Sequence, residues 1–78
     1  MIRSSVQIND NGFVFSYDLG TTFTTNYPGV EILKMLQQGY SKEKVKTRMI
    51  ELFGISESEF EKDFQDFLSQ LRHLRLLI

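Results

Sequence analysis

The first part of the chain alternates apolar and polar residues, the pattern of short β-strands. Val6 and Ile8 lie in the first such stretch. Phe13, Phe15 and Tyr17 alternate along a second, with smaller residues between them. A third stretch, residues 21–25, is rich in threonine, which is β-branched and suits a strand. The stretches are joined by Asn- and Gly-containing turns at residues 9–12 and 18–20, so an antiparallel meander of three strands is predicted.

After residue 26 the apolar residues recur every three or four positions, which predicts three helices. The first begins after Asn26, with a proline in its first turn, and stops at Gly39. The second runs from a Ser41 cap to Gly54, and the third opens with a capping box that starts at Ser56. The predicted core-facing residues are Val30, Leu33, Met35 and Leu36, then Val45, Met49, Leu52 and Phe53, then Phe60, Phe64, Phe67, Leu68, Leu71 and Leu74.

The element order is therefore three strands followed by three helices. A three-stranded sheet is marginal alone and needs a helical layer, which predicts a small α+β domain. This order fits a relative of the winged helix-turn-helix domains with its sheet in front, or an unspecialised α+β domain. The chain has 78 residues, enough for one core, so residues 1–78 are predicted to form a single domain.

Composition removes most catalytic and metal chemistry. Cysteine is absent and His73 is the only histidine, which excludes disulfides, thiolate metal sites, a cysteine nucleophile and sites built from several imidazoles. The two common glycine-rich phosphate-binding motifs, GxxxxGK followed by Ser or Thr and GxGxxG, do not occur. The carboxylates at the start of the third helix are spaced by two, which spreads them around the helix. We therefore predict no catalytic residue, no metal and no cofactor.

Charge gives little support to nucleic-acid binding. The formal net charge is −1, the wrong sign for a domain that holds phosphate backbones. Lys42, Lys44, Lys46 and Arg48 stand where a helix-turn-helix protein could meet DNA, but their spacing of two favours a solvated face. No signal-peptide pattern and no membrane-length apolar run occur, which predicts a cytoplasmic protein without membrane contact.

Two features instead suggest a binding surface. The third strand lacks Lys and Pro, so if it lies at a sheet edge it can accept an added strand. The phenylalanine stripe of the last helix is mainly core, but part of it could form the wall of a groove beside that strand. The apolar C-terminal residues Leu76, Leu77 and Ile78 must be buried, paired or used for contact.

The order and spacing of several short motifs resemble one known family over almost the whole chain. The junction before the first helix, the second-helix cap and face, and the last helix all contribute. The matching residues are Asn26, Gly29, Ile32 and Leu33, then Gly39, Ser41, Val45, Met49 and Ile50, then Asp63, Phe64, Phe67, Leu68, Leu71, Leu76 and Leu77. The chain thus resembles the PqqD-like proteins of pyrroloquinoline quinone (PQQ) biosynthesis and their relatives, the RiPP recognition elements. Thr25 stands where leucine is common in the family, and Arg75 where glycine is usual.

The resemblance implies a non-enzymatic peptide chaperone. Such domains bind the leader part of a ribosomally made precursor peptide and present it to a modifying enzyme, often a radical SAM protein. The leader adds to the third strand, and its apolar side chains lie against the third helix. On this chain the implied contact residues are Thr21, Thr22, Phe23, Thr24, Thr25, Phe64, Leu68, Leu71 and Arg72.

Several alternatives stay open at this point. Leu68 and Arg72 border the apolar stripe on one side, Asp63 and Leu74 on the other, and either side could face the groove. A winged-helix DNA-binding regulator and a structural subunit of a modifying enzyme are the rival functions. The domain could be a monomer or a homodimer.

Overall fold

A computed structural model describes residues 2–77, and it has the predicted order of elements. The strands are β1 (Val6–Ile8), β2 (Phe13–Ser16) and β3 (Thr21–Thr24). The helices are α1 (Tyr27–Gln37), α2 (Lys42–Phe53) and α3 (Glu57–His73). The strands form an antiparallel sheet in the order β1-β2-β3, so β3 lies at one edge. The predicted fold class is confirmed.

Local hydrogen bonds explain where the helices begin. The Asn26 side chain accepts the Gly29 N–H at 3.0 Å at the start of α1. Ser41 caps α2 in the same way, through the Lys44 N–H at 3.2 Å. At α3, Ser56 and Glu59 form the complete capping box that the sequence predicts. These caps satisfy backbone donors that a helix leaves without an internal partner.

One face of the sheet and the inner faces of the three helices enclose a single core. The sheet contributes the buried side chains of Val6 and Val14 to this core. The predicted core residues of α1 are all buried, as are Phe60, Phe64 and Leu71 of α3. Leu52 is a correction, since it is 44% exposed. It shares the helical face of Val45 but lies in the last turn of α2, where its side chain protrudes from the packed layers.

The aromatic residues of β2, and Tyr17 directly after it, lie on the outer face of the sheet. Phe13 is 38% exposed and Tyr17 is 68% exposed, whereas Val14 and Ser16 point into the core. Phe13 and Phe15 contact each other, with ring centroids 5.8 Å apart. The small inward side chains let the helices approach the sheet closely, and the large rings are left outside.

The C-terminal segment turns back to meet the N-terminus. Leu76 is fully buried, and Leu77 forms an antiparallel bridge with Ile2. The turn is made at Arg75, whose φ of +62° lies in the left-handed region that glycine normally occupies. The Arg75 carbonyl accepts a hydrogen bond from Arg3 Nε at 3.0 Å. Leu76 and Leu77 are therefore part of the fold, and Ile78 lies outside the described residues.

Replacing Arg75 with glycine is expected to stabilise the domain. The left-handed conformation costs an ordinary residue about 1–2 kcal/mol, and glycine avoids this at an entropic cost of about 0.5–1 kcal/mol. We expect a net gain of about 0.5–1 kcal/mol in the free energy of unfolding, measured by urea denaturation. Arg72→Gly is the matched control. Because Arg72 is helical, glycine there should cost about 1 kcal/mol, and equal effects at both sites would contradict the strain argument.

A polar cluster of two buried serines and the exposed Asp18 joins the start of the chain to the turn after β2. The hydroxyls of Ser16 and Ser5 donate to Asp18 Oδ1 at 2.5 and 2.6 Å, and the two hydroxyl oxygens are 3.1 Å apart. These hydrogen bonds hold the pKa of Asp18 below its ordinary value, and the bond from Ser16 has the largest effect. The positive charge of Arg3 lowers the pKa by a smaller amount. The cluster thus depends on an ionised carboxylate.

The contribution of this cluster should disappear in acid. Since the folded-state pKa of Asp18 is lowered, its stabilisation is complete above the unfolded value of about 4 and is lost as the pH falls through the folded value. Asp18→Asn should therefore lower the melting temperature clearly at pH 7 and much less near pH 2. Melting curves of both proteins across this range test it, and a difference independent of pH would contradict it.

Among the helices of residues 2–77, none combines the length and the apolar character that crossing a lipid bilayer would need.

Candidate functional site

The free edge of β3 presents two residues whose backbone groups point away from the sheet. The register pairs Val14 with Phe23, and the Thr25 N–H donates to the Gly12 carbonyl at 2.8 Å. Hydrogen-bonded pairs alternate along an antiparallel ladder, so the backbone groups of Phe23 and Thr25 face β2. The N–H and C=O groups of Thr22 and Thr24 consequently face outward. Within residues 2–77, no other backbone or side chain hydrogen-bonds to them.

The opposite edge of the sheet is partly covered by the chain itself. The register places the backbone groups of Val6 at the outer side of β1. There the Val6 N–H donates to the Arg3 carbonyl at 3.2 Å, and the Val6 carbonyl accepts from Gln37 Nε2 at 2.9 Å. Helix α1 also packs along this strand. Of the two edges, β3 is therefore the one prepared to accept another strand.

A groove of about 440 Å³ opens at the end of β3, between the start of α1 and one flank of α3. Its volume lies within the range of ligand-binding clefts. The floor is apolar and includes Phe60 and Phe64, whose rings stack with centroids 5.0 Å apart. The other lining residues are Thr25, Asn26, Pro28, Gly29, Ile32, Met49, Phe53, Ile55, Asp63, Asp66, Phe67 and Gln70.

Thr25 connects the strand edge to the groove, and two glycines hold it in place. Its N–H is bound by the Gly12 carbonyl, and its side chain lies on Gly29. A Cβ at Gly29 would lie 2.0 Å from Thr25 Oγ1, a distance that no real contact permits. This close approach holds the end of β3 against the start of α1. It also means that a strand added to β3 runs directly to the groove.

The structure places the nine predicted contact residues in four settings. Thr21, Thr22, Phe23 and Thr24 form the edge strand, and Thr25 and Phe64 line the groove. Leu71 is fully buried in the core. Leu68 and Arg72 are separated from the lining residues Phe67 and Gln70 by about 100° or more around α3, so they lie on the other flank. The role of all nine in binding a peptide stays a prediction.

The groove side of α3 is the one marked by Asp63. Asp63, Phe67 and Gln70 follow each other at spacings of four and three and line the groove together. The sequence left this choice of flank open, because apolar residues border the stripe on both sides, Leu68 on one and Leu74 on the other. The contributions of Pro28, Phe53 and Ile55 were not predicted. Ile55 directly precedes the Ser56 cap and Phe60 is the fourth residue of α3, a spacing at which two apolar residues pack together as a hydrophobic staple. This spacing is the sequence signal for the part of the groove that Ile55 lines.

The basic stretch of α2 is largely used within the domain. Lys42 pairs with Glu61 at 2.7 Å, and Lys46 bridges Glu43 and Glu57 at 3.1 Å each. The Lys44 ammonium lies 4.2 Å from the centre of the Tyr40 ring. The Lys42–Glu61 and Lys46–Glu57 pairs hold α2 against α3. Two of the four cationic residues, Lys42 and Lys46, are therefore neutralised within the domain. Among residues 2–77, no cluster of three acidic or imidazole side chains could hold a metal ion.

Comparisons with known proteins agree with this geometry. The sequence matches the family described as Coenzyme PQQ synthesis protein D (PqqD) over residues 11–77. The fold is similar to a solved structure described as TbiB1 in complex with the TbiA(beta) leader peptide, at a TM-score of 0.84 and 25% identity. That likeness covers 97% of this chain and 92% of the other. No curated protein matches the chain. Because the family match spans most of its length, the chain belongs to the PqqD family.

Proposed function

We propose that this domain binds the leader segment of a ribosomally made precursor peptide by adding it as a fourth strand to β3. The observation that carries the proposal is the outward-facing backbone of Thr22 and Thr24, the one sheet edge without an internal partner in residues 2–77. The similar structure of TbiB1 is described as a complex with a leader peptide, which supports the same role here.

The backbone ladder would supply affinity for any extended peptide, and the groove would select its sequence. A peptide residue opposite Phe23 directs its side chain to the inner face of the sheet, because paired residues share a face. The next such side chain, two residues further along, reaches the groove beyond Thr25. Residues opposite Thr22 and Thr24 point to the outer, exposed face. Every second residue of the leader is therefore expected to be apolar where it meets the groove.

The domain would then present the peptide to a modifying enzyme, such as a radical SAM protein, and would not itself catalyse the reaction. His73, its one imidazole, lies at the exposed C-terminal end of α3 and is not among the residues that line the groove. A cytoplasmic location follows from this role, since precursor peptides come from the ribosome.

The DNA-binding alternative is not favoured. Three of its four cationic residues are engaged by acidic or aromatic side chains of the domain itself, as described above. A structural subunit of an enzyme would use the same surfaces without binding free peptide. A homodimer through the two β3 edges also remains a prediction, and a peptide that occupies β3 would compete with it.

Amide shifts in an isotope-labelled sample test the proposal. The ligand is the synthetic leader of a short precursor encoded beside the gene, and a DNA duplex is the control. We expect the leader to shift residues 21–25 and the Asp63 flank of α3, with saturation. Shifts along α2 with DNA and none with peptide would instead establish the regulator. If neither ligand shifts a signal but the modifying enzyme does, the structural subunit is correct.

A further inference from the structure

The groove has an acidic rim above an apolar floor. Asp63 and Asp66 are exposed residues of α3 that line it, and Gln70 lies one turn beyond Asp66. The two aspartates are three residues apart, which brings their Cβ atoms to about 5–6 Å on a helix. The residues that line the groove include no lysine, arginine or histidine.

These two carboxylates are also free of partners elsewhere in the described domain. Within residues 2–77, no cationic group lies within 4.0 Å of either one, whereas Asp10, Asp18, Glu43, Glu57 and Glu61 all form ion pairs. The negative charge that lines the groove is thus unneutralised, whereas that at the α2–α3 contact is balanced. Uncompensated negative charge beside an apolar cleft attracts the cationic groups of a molecule that enters the cleft.

We infer that the leader peptide carries a lysine or arginine that pairs with Asp63 and Asp66 while an adjacent apolar residue fills the groove. This inference rests on the proposed function and adds the chemical class of the ligand. A long cationic side chain can lay its methylene groups along Phe67 and keep its charged head at the rim. A guanidinium is planar and has several donors, so one arginine can bind both carboxylates.

The first experiment selects binders from a displayed library of random nine-residue peptides, using the full chain as bait. The wild-type pool is expected to be enriched in Lys and Arg at a fixed distance from an apolar residue. The double variant Asp63→Asn, Asp66→Asn should yield binders without this enrichment, because asparagine keeps the size and removes the charge. Glu31→Gln with Glu51→Gln is the matched control, since neither residue lines the groove or forms an ion pair in residues 2–77.

The binding affinity of the most enriched peptide then measures how much each carboxylate contributes. Each Asp→Asn change should weaken its binding about two- to fivefold, the range for partly exposed ion pairs, and the glutamine control should not. The loss should be larger at low salt, because charges then interact over about 30 Å before salt screens them, compared with about 10 Å at ordinary ionic strength. Replacing the basic residue of the peptide with glutamate should weaken binding to wild type more than to the double variant.

Two results would overturn the inference alone. One is a wild-type pool of strand-binding peptides without basic enrichment, and the other is enrichment that persists in the double variant. Binders insensitive to proline at Thr22 and Thr24 would instead contradict docking on β3. That result, or the absence of binders, removes the proposed function and this inference together.

Discussion

Replacing Gly12 with alanine should be among the most damaging single-methyl additions to this domain. Gly12 has a φ of +95°, and a Cβ on it would lie 2.1 Å from the Thr25 carbonyl oxygen. That oxygen belongs to the backbone, so it cannot turn aside as a side chain could. The strain and the clash together should cost at least about 3 kcal/mol, which lowers the melting temperature of a small domain by about 10 °C or more.

Gly20 is the matched control for this prediction. Its φ of +70° is also in the left-handed region, but a Cβ there would meet nothing within 4 Å. Gly20→Ala should therefore cost only the conformational strain, about 1–2 kcal/mol. Thermal unfolding of the three proteins separates the two contributions. Equal destabilisation by both changes would show that the approach of Gly12 to Thr25 is not a constraint on the fold.

Proline at Thr22 or Thr24 should abolish or strongly weaken peptide binding while the domain stays folded. Proline lacks the N–H that the added strand needs, and on an edge strand it removes no internal ladder bond. The preceding residues, Thr21 and Phe23, are already in strand conformation, which proline requires of its neighbour. A missing donor opposite a buried peptide carbonyl should lower affinity about ten- to hundredfold.

Thr22→Val and Thr24→Val keep the backbone donor and serve as controls. Valine has nearly the shape of threonine and suits a strand, so affinity should change by less than about twofold. Calorimetric titration with the leader gives the affinities, and a thermal melt shows that each variant is folded. Unchanged affinity in two folded proline variants would contradict docking on β3.

The sequence predicted the elements of this fold because their ends are encoded locally. The capping box of Ser56 and Glu59 and the Asn26 cap depend on residues three apart, and both are present as expected. The alternation in β2 likewise predicted two faces. It did not indicate which face is covered, because Val14 and Ser16 are buried by helices that lie much later in the chain.

The groove was harder to predict because it depends on three helices at once. Phe64 and Thr25 were among the predicted contact residues. The flank of α3 that faces the groove could not be predicted, because it depends on where α1 and α2 pack against α3. Arg75 stands where glycine is usual in the family, yet it adopts the left-handed turn that glycine would make. Tertiary contacts of Leu76 and Leu77 outweigh the strain at that residue.

The bridge between Ile2 and Leu77 brings the two ends of the described chain side by side. A domain whose two ends lie side by side can be inserted into a surface loop of a larger enzyme, because the two ends of a loop are also close together. The β3 edge and the groove are formed by other parts of the chain, residues 21–29 and the helices. Circular permutation that joins the present ends, with new ends at the exposed turn around Gly39, should therefore leave peptide capture intact.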